Sequence, residues 1–182
     1  MQRIVITGSH CVGKTTLVQQ LSQRLLDSGV TASVAEEPIK VILGNFPDIA
    51  RDKDNLYIRL AEEHFRRLQP FESACRLYDR SLIDLLAYYR LEGPGNPHFD
   101  AMLSQLLKWY STFIDLFIYL PIEIPLIPDG HRPESEGYRK KVDVMLHRVA
   151  AEASISWHPI SGTMEERVHA AFNLLVKHLQ LP

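Results

Sequence analysis

Residues 3–21 read RIVITGSHCVGKTTLVQQL. Arg3–Thr7 is β-branched and apolar, as a buried strand requires. Leu17, Val18, Leu21 and Leu25 then recur at helical spacing, and Gly29 stands where a helix C-terminus favours glycine. Between strand and helix lies Gly8-Ser9-His10-Cys11-Val12-Gly13-Lys14-Thr15-Thr16, which fits Gly-x-x-x-x-Gly-Lys-[Ser/Thr], the phosphate-binding loop. The chemistry explains the residue types. Gly8 and Gly13 let backbone N–H groups wrap phosphate oxygens, and the helix N-terminus adds partial positive charge. Lys14 reaches the β- and γ-phosphates, and the Thr15 hydroxyl ligates Mg²⁺. Residues 8–16 are therefore the expected ATP-binding loop, with ATP and Mg²⁺ as cofactors. Cys11 reads as a small filler in that loop.

The chain has 182 residues, 46% of them hydrophobic and 23% charged, enough for one globular domain over 1–182 with a sizeable core. The net charge of −2 argues against a standing nucleic-acid surface. Two distant cysteines, Cys11 and Cys75, give no disulfide or zinc framework, and the eight histidines show no metal-ligand spacing. No apolar run approaches a membrane span. With a strand from residue 3 there is no fit to a leader peptide, and the expected compartment is the cytoplasm.

Five strand-like runs alternate with helical ones: Arg3–Thr7, Thr31–Glu36, Cys75–Asp79, Asp115–Leu120 and Ile155–Ile160. Helices are expected over Asn55–Gln69, Ser81–Leu91 and Phe99–Tyr110, over a charged stretch from Glu134 to Glu152, and from Thr163 onward, where Thr163-Met-Glu-Glu166 fits a capping box. On the first of these, Leu56, Leu60, Phe65 and Leu68 should face inward, with Arg59/Glu63, Glu62/Arg66 and Glu63/Arg67 paired on the wet face. Such alternation behind a phosphate loop means an α/β, three-layer P-loop NTPase fold with a five-stranded parallel sheet. Pro121–Pro133 holds four prolines and one glycine ahead of a basic stretch, and 121–141 is expected to be a mobile lid.

In open α/β sheets ligands sit beyond the C-terminal strand ends, which selects further candidates. Glu36 and Glu37, before Pro38, can bond or deprotonate an acceptor hydroxyl; a solvated loop is the bland alternative. Asp79 can hold Mg²⁺ or its water, and Arg80 can clamp an anion; Asp79 or Ser81 can equally cap the next helix. Arg132, Arg139, Lys140 and Lys141 supply cations for transferred phosphoryl charge, or form a merely solvated helix.

GSHCVGKTTL, EEP, DRS, FIDLFIYLP, the basic stretch and PISGTMEERV stand in the order found in P-loop nucleoside and nucleotide kinases. EEP and DRS resemble deoxyribonucleoside and thymidylate kinases. The second half is even more similar to AAA-type ATPase/kinase proteins related to the nicotinamide riboside kinase domain. The resemblance implies a kinase passing the γ-phosphoryl of ATP to a hydroxyl of a nucleoside-like acceptor, and a homodimer. It makes Lys14, Glu37, Asp79 and Arg132 catalytic, and Thr15 and Asp79 the metal ligands. Arg139, Ser161, Gly162 and Thr163 join the ATP side; Glu36, Glu37, Tyr57, His64 and Arg80 hold the acceptor. Tyr57, Glu62 and His64 stand on the helix where many deoxyribonucleoside kinases carry a base-reading glutamine. A nucleoside monophosphate acceptor and a non-transferring ATPase remain the alternatives.

Lys14→Ala is expected to lower turnover by at least ~10²-fold, the scale of one lost transition-state donor, while circular dichroism shows the fold retained. Near-normal turnover in the folded variant would remove the loop from the mechanism.

Overall fold

The computed structural model describes residues 1–126 and 135–179. Strands β1 (Gln2–Thr7), β2 (Ala32–Ala35), β3 (Cys75–Asp79), β4 (Leu116–Tyr119) and β5 (His158–Pro159) form one sheet in the order β2-β3-β1-β4-β5. Every pairing is parallel, with Ile4 opposite both Leu77 and Leu116. The sheet is enclosed by α1 (Lys14–Asp27), α2 (Pro38–Asn45), α3 (Lys53–Arg66), α4 (Leu82–Glu92), α5 (Pro97–Ser111), α6 (Glu136–Glu152) and α7 (Met164–Leu179). A short 3₁₀ turn, Ile49–Arg51, precedes α3.

Strand alternation divides the core. Ile4 and Ile6 point to one face, where Leu17, Leu21 and Leu25 of α1 meet Val168, Ala171 and Leu175 of α7. Val5, between them, points to the other face beside Tyr78 and Phe117, under a helical layer built on α3 to α6. In that layer α4 is buried on all sides, from Leu82 through Ala87, because α3, α5 and α6 all pack on it. These are the three layers expected of the sheet.

Local signals work as their chemistry requires. Helix α1 closes with Gly29 at φ +79°. Its N–H donates to the Leu26 carbonyl and that of Val30 to Leu25, a Schellman closure. Thr163 and Glu166 exchange the two bonds of a capping box at the start of α7. Helix α4 has its own box: Ser81 caps it, and the Asp84 carboxylate accepts from the Ser81 N–H.

Several expectations are corrected. Strand β2 is confined to Ala32–Ala35 and β5 to two residues. Pro159 has no N–H for a ladder, which suits only an edge. A helix, α2, follows Glu37 where only a loop was expected. Glu63 and Arg67 are not on a wet face but buried. The ion pairs of α3 run at i,i+3 instead, Arg59–Glu62 and Arg66–Glu63. The expected stripe of α3 does face inward, Leu60 buried and Leu56, Phe65 and Leu68 half-buried against the core, but the most buried face also takes in Tyr57, Ala61, Glu63 and His64. Among the described residues no helix is long and apolar enough to cross a membrane.

Leu21 is fully buried between sheet and helices. Leu21→Ala is expected to lower unfolding free energy by about 2–5 kcal/mol, read by urea titration; Val144→Ala, on the exposed side of α6, should change it by less than about 0.5 kcal/mol.

Candidate active site

The loop between β1 and α1 bends through left-handed backbone at Cys11 (φ +55°) and Gly13 (φ +87°). Gly8 is at φ +143°, and a Cβ there would lie 2.5 Å from the Leu120 carbonyl oxygen. The loop passes too close to the end of β4 for any side chain at position 8. Lys14 Nζ curls back to donate to the carbonyls of Gly8, at 2.8 Å, and Ser9.

Two arginines hold the loop from outside, and neither exposes surface. Arg139 Nε donates to the His10 carbonyl (3.1 Å), and Nη2 to those of Cys11 (2.9 Å) and Ile124 (2.8 Å). The Arg139 carbonyl accepts from Ser9 Oγ. Arg167 Nη1 donates to the Val12 carbonyl (2.8 Å) and Nε to that of Gly162 (2.9 Å), while Nη2 meets Glu123 (2.9 Å). In a planar trans peptide C=O and N–H point oppositely. With the carbonyls of residues 10, 11 and 12 turned to guanidiniums, the N–H groups of Cys11, Val12 and Gly13 point the other way. The loop is thus a cup of amide donors, the shape that cradles phosphate.

Thr15 and Asp79 meet across the first turn of α1, Thr15 Oγ1 donating to Asp79 Oδ2 at 2.5 Å. Asp79 Oδ1 is buried with no hydrogen-bond partner among the described residues. A hydroxyl beside an unsatisfied carboxylate oxygen is the hard-oxygen donor set that Mg²⁺ takes when phosphates and water fill its other positions, so the residues fit that ion.

Glu36 is exposed and Glu37 is buried, so the strand end turns the second carboxylate inward. Arg80 Nε donates to Glu37 Oε1 at 2.6 Å, and Nη1 to Asp84 Oδ1 at 3.3 Å. Burial alone would lower the Arg80 pKa, but Tyr88, Glu37, Asp84 and Asp79 outweigh it and hold the guanidinium charged. Arg80 also has left-handed backbone, φ +68°, uncommon for a long side chain. Arg67 supports this corner. Its Nη2 donates to the Ala35 carbonyl (2.7 Å) and the Asp79 carbonyl (3.2 Å). One guanidinium thereby ties together the ends of β2 and β3 that launch Glu37 and Asp79.

The other sequence candidates fall as follows. His64 is buried beside Arg67 and Arg80, and burial together with those two cations holds its pKa well below the ordinary histidine value. It is a neutral ring packed edge-on to Tyr110. Tyr57 packs edge-on to Tyr89, with Glu92 and Tyr88 among its electrostatic neighbours. Gly162, at φ +100°, donates its N–H to Glu123, and that bond, followed by Arg167, holds the Glu123 carboxyl below its usual range. Arg139, expected in a lid, is on α6 with its guanidinium spent on loop carbonyls. Arg132 lies outside the described residues, as does the 127–134 part of the expected lid. Thr7, Asp84 and Arg167 were not singled out from sequence, and Arg67 was read only as half of a surface ion pair. A signal existed for Arg167: a cation in the first turn of a helix opposes the helix dipole and needs another reason to be there.

A family model described as an AAA domain matches residues 3–167. The chain belongs to this AAA domain family. No curated protein matches it. Among solved structures it resembles NadR protein in complex with NR, at a TM-score of 0.73 and 21% identity, covering 100% of this chain and 52% of that one. NadR in complex with NAD and AMP-PNP gives 0.69 and 20%, with 100% and 50% covered. YorR protein from Bacillus subtilis, in complex with phosphorylated GDP, gives 0.61 and 13%, with 97% and 98% covered. The AAA domain described here therefore spans about half the length of the NadR chains it matches. At these identities the likeness establishes the shared P-loop fold.

Arg167→Met would strip the Val12 and Gly162 carbonyls of their guanidinium donor and cost Glu123 its ion pair, leaving Glu123 the bond from the Gly162 N–H. An orphaned buried polar group costs about 1–3 kcal/mol. The variant is expected to melt at lower temperature and to bind AMP-PNP at least ~10-fold more weakly by calorimetry; unchanged affinity would show that the loop keeps its shape without the clamp.

Proposed function

We propose that this AAA domain is an ATP- and Mg²⁺-dependent kinase for a small molecule, passing the γ-phosphoryl to a hydroxyl of a nucleoside or nucleoside-like acceptor. The observation that carries this reading is the run of polar contacts from Thr15 to Asp79 and, from the adjoining Arg80, to Glu37. It leads from the phosphate loop to a buried carboxylate one strand beyond the metal-side carboxylate. Hydrolysis alone has no use for the Glu37–Arg80 pair. A kinase needs it to hold and orient the acceptor. The nucleotide and nucleoside ligands named for the NadR and YorR structures support the same class of substrates.

The division of labour follows from charge. The amide cup and Lys14 take the β- and γ-phosphates. Thr15 and Asp79 would hold Mg²⁺, which neutralises charge developing on the transferring group. Glu37 accepts a hydrogen bond from the acceptor hydroxyl, and Arg80 fixes the geometry of Glu37. Phosphoryl transfer asks mainly for such positioning and charge stabilisation. A nucleoside monophosphate would bring an anion toward buried Glu37, which favours a neutral hydroxyl acceptor over a phosphate one.

The test is ADP release with a panel of nucleosides, nucleotides and nucleoside-like vitamins. Acceptor-dependent release is expected, and steady release indifferent to every acceptor would instead make the protein an ATPase. With the acceptor found, Glu37→Gln should retain AMP-PNP affinity and lose at least ~10-fold in acceptor phosphorylation, the worth of one charged hydrogen bond. Asp79→Asn should impair all nucleotide turnover.

A further inference from the structure

Asp84 is a carboxylate that neither the phosphate loop nor the metal pair accounts for. It is 2% exposed, and burial raises its pKa against the opposing pull of Arg80 and Lys14. Three donors converge on it. Oδ2 accepts from Thr7 Oγ1 (3.0 Å) and from the Ser81 N–H (2.9 Å), and Oδ1 from Arg80 Nη1 (3.3 Å). Thr7 is the last residue of β1 and immediately precedes Gly8. Asp84 thus touches the strand that launches the phosphate loop and the arginine on the acceptor side.

The guanidinium of Arg80 is a rigid planar fork. Glu37 fixes its Nε edge and Asp84 its Nη1. Tyr88 lies against its face, 5.3 Å from ring centre to Cζ. Nη2 has no hydrogen-bond partner among the described residues. Two carboxylates and a ring leave the plane one orientation, with one nitrogen unspent. The left-handed backbone at Arg80 belongs to the same arrangement, because strained conformations persist where the surroundings over-determine them.

We propose that Asp84 is a positioning residue: it orients Arg80 so that Nη2 is presented to the acceptor, and through Thr7 it registers that nitrogen against the phosphate loop. This rests on the kinase reading above for what Nη2 meets, but not for the clamp itself. Helix capping is the merely structural role to be separated from it. Asp84→Asn does so, because the amide oxygen can still accept from Thr7 and the Ser81 N–H while its NH₂ faces the guanidinium, donor against donor.

The first measurement needs no acceptor. In ¹⁵N–¹H spectra of the whole protein the Arg80 Nε–H, sealed against Glu37, is expected to exchange slowly with water. In Asp84→Asn it should exchange at least ~10-fold faster. Ser81→Ala, which removes the cap hydroxyl but leaves Asp84 in place, should keep it slow. The second measurement uses the acceptor found by the panel. Asp84→Asn should raise its KM and lower kcat, together at least ~10-fold in kcat/KM, with the KM for ATP within about threefold. Added to Arg80→Gln, it should cause no further loss. An Nε–H as protected in Asp84→Asn as in the parent, or losses that add to those of Arg80→Gln, would overturn the proposal. If exchange accelerates as expected and the parent protein phosphorylates nothing in the panel, the clamp stands and the acceptor reading falls.

Discussion

Everything at the site depends on where three carbonyl groups point. The phosphate loop is short and glycine-bearing, and its peptide planes could face either way. Their orientation is fixed because Arg139 and Arg167 take the carbonyls of His10, Cys11 and Val12. A lysine could not replace either residue, since one guanidinium reaches several acceptors in fixed directions and an ammonium cannot. Each arginine is also the fourth residue after its helix cap, Ser135 for α6 and Thr163 for α7. Two helices from opposite sides of the sheet thus offer the same position to the loop. A buried cation normally loses more in desolvation than it gains. Here the ring of carbonyls, with Glu136 and Glu123 at the margins, supplies the compensation.

The strand ends beside the loop obey the same logic with different partners. Arg67 binds the carbonyls of Ala35, Asp79 and Arg80, so the ends of β2 and β3 cannot splay. Strand β2 then delivers Glu37 inward and leaves Glu36 in solvent. Buried arginines therefore fix the backbone both at the phosphate loop and at the ends of β2 and β3.

What was legible in the sequence follows from how local each signal is. Strand β3 has the expected bounds, Cys75–Asp79, and the Gly29 closure and Thr163–Glu166 box form as read, because each is decided within a few residues. Helix α2 was missed because Pro38 was taken for a loop residue, whereas proline at the first helical position is favoured and Ile42 already gave a buried face. Arg67 was misplaced because an i,i+4 charge pattern reads as a solvated face, and only the tertiary contact with β2 and β3 turns it inward. Strand alternation was enough for a five-stranded parallel sheet, while the order β2-β3-β1-β4-β5 came only with the structure. The choice between Glu36 and Glu37 was open in the sequence, because a one-residue shift in the strand end exchanges them. Asp84 read as an unremarked first-turn acid at a helix start; its partner Thr7 is 77 residues away, and no periodicity carries that distance.

The clamp on the phosphate loop also says something about the order of events during synthesis. The loop leaves the ribosome with the first strand, yet the guanidiniums that shape it arrive about 130 and 155 residues later, with Arg167 on the last helix. A nascent chain halted before Thr163 would contain the full phosphate-loop motif and lack half of what holds its peptides in place. Contacts so distant in sequence form late. The motif comes before both arginines in the sequence, so its peptide planes are fixed only once α6 and α7 have docked.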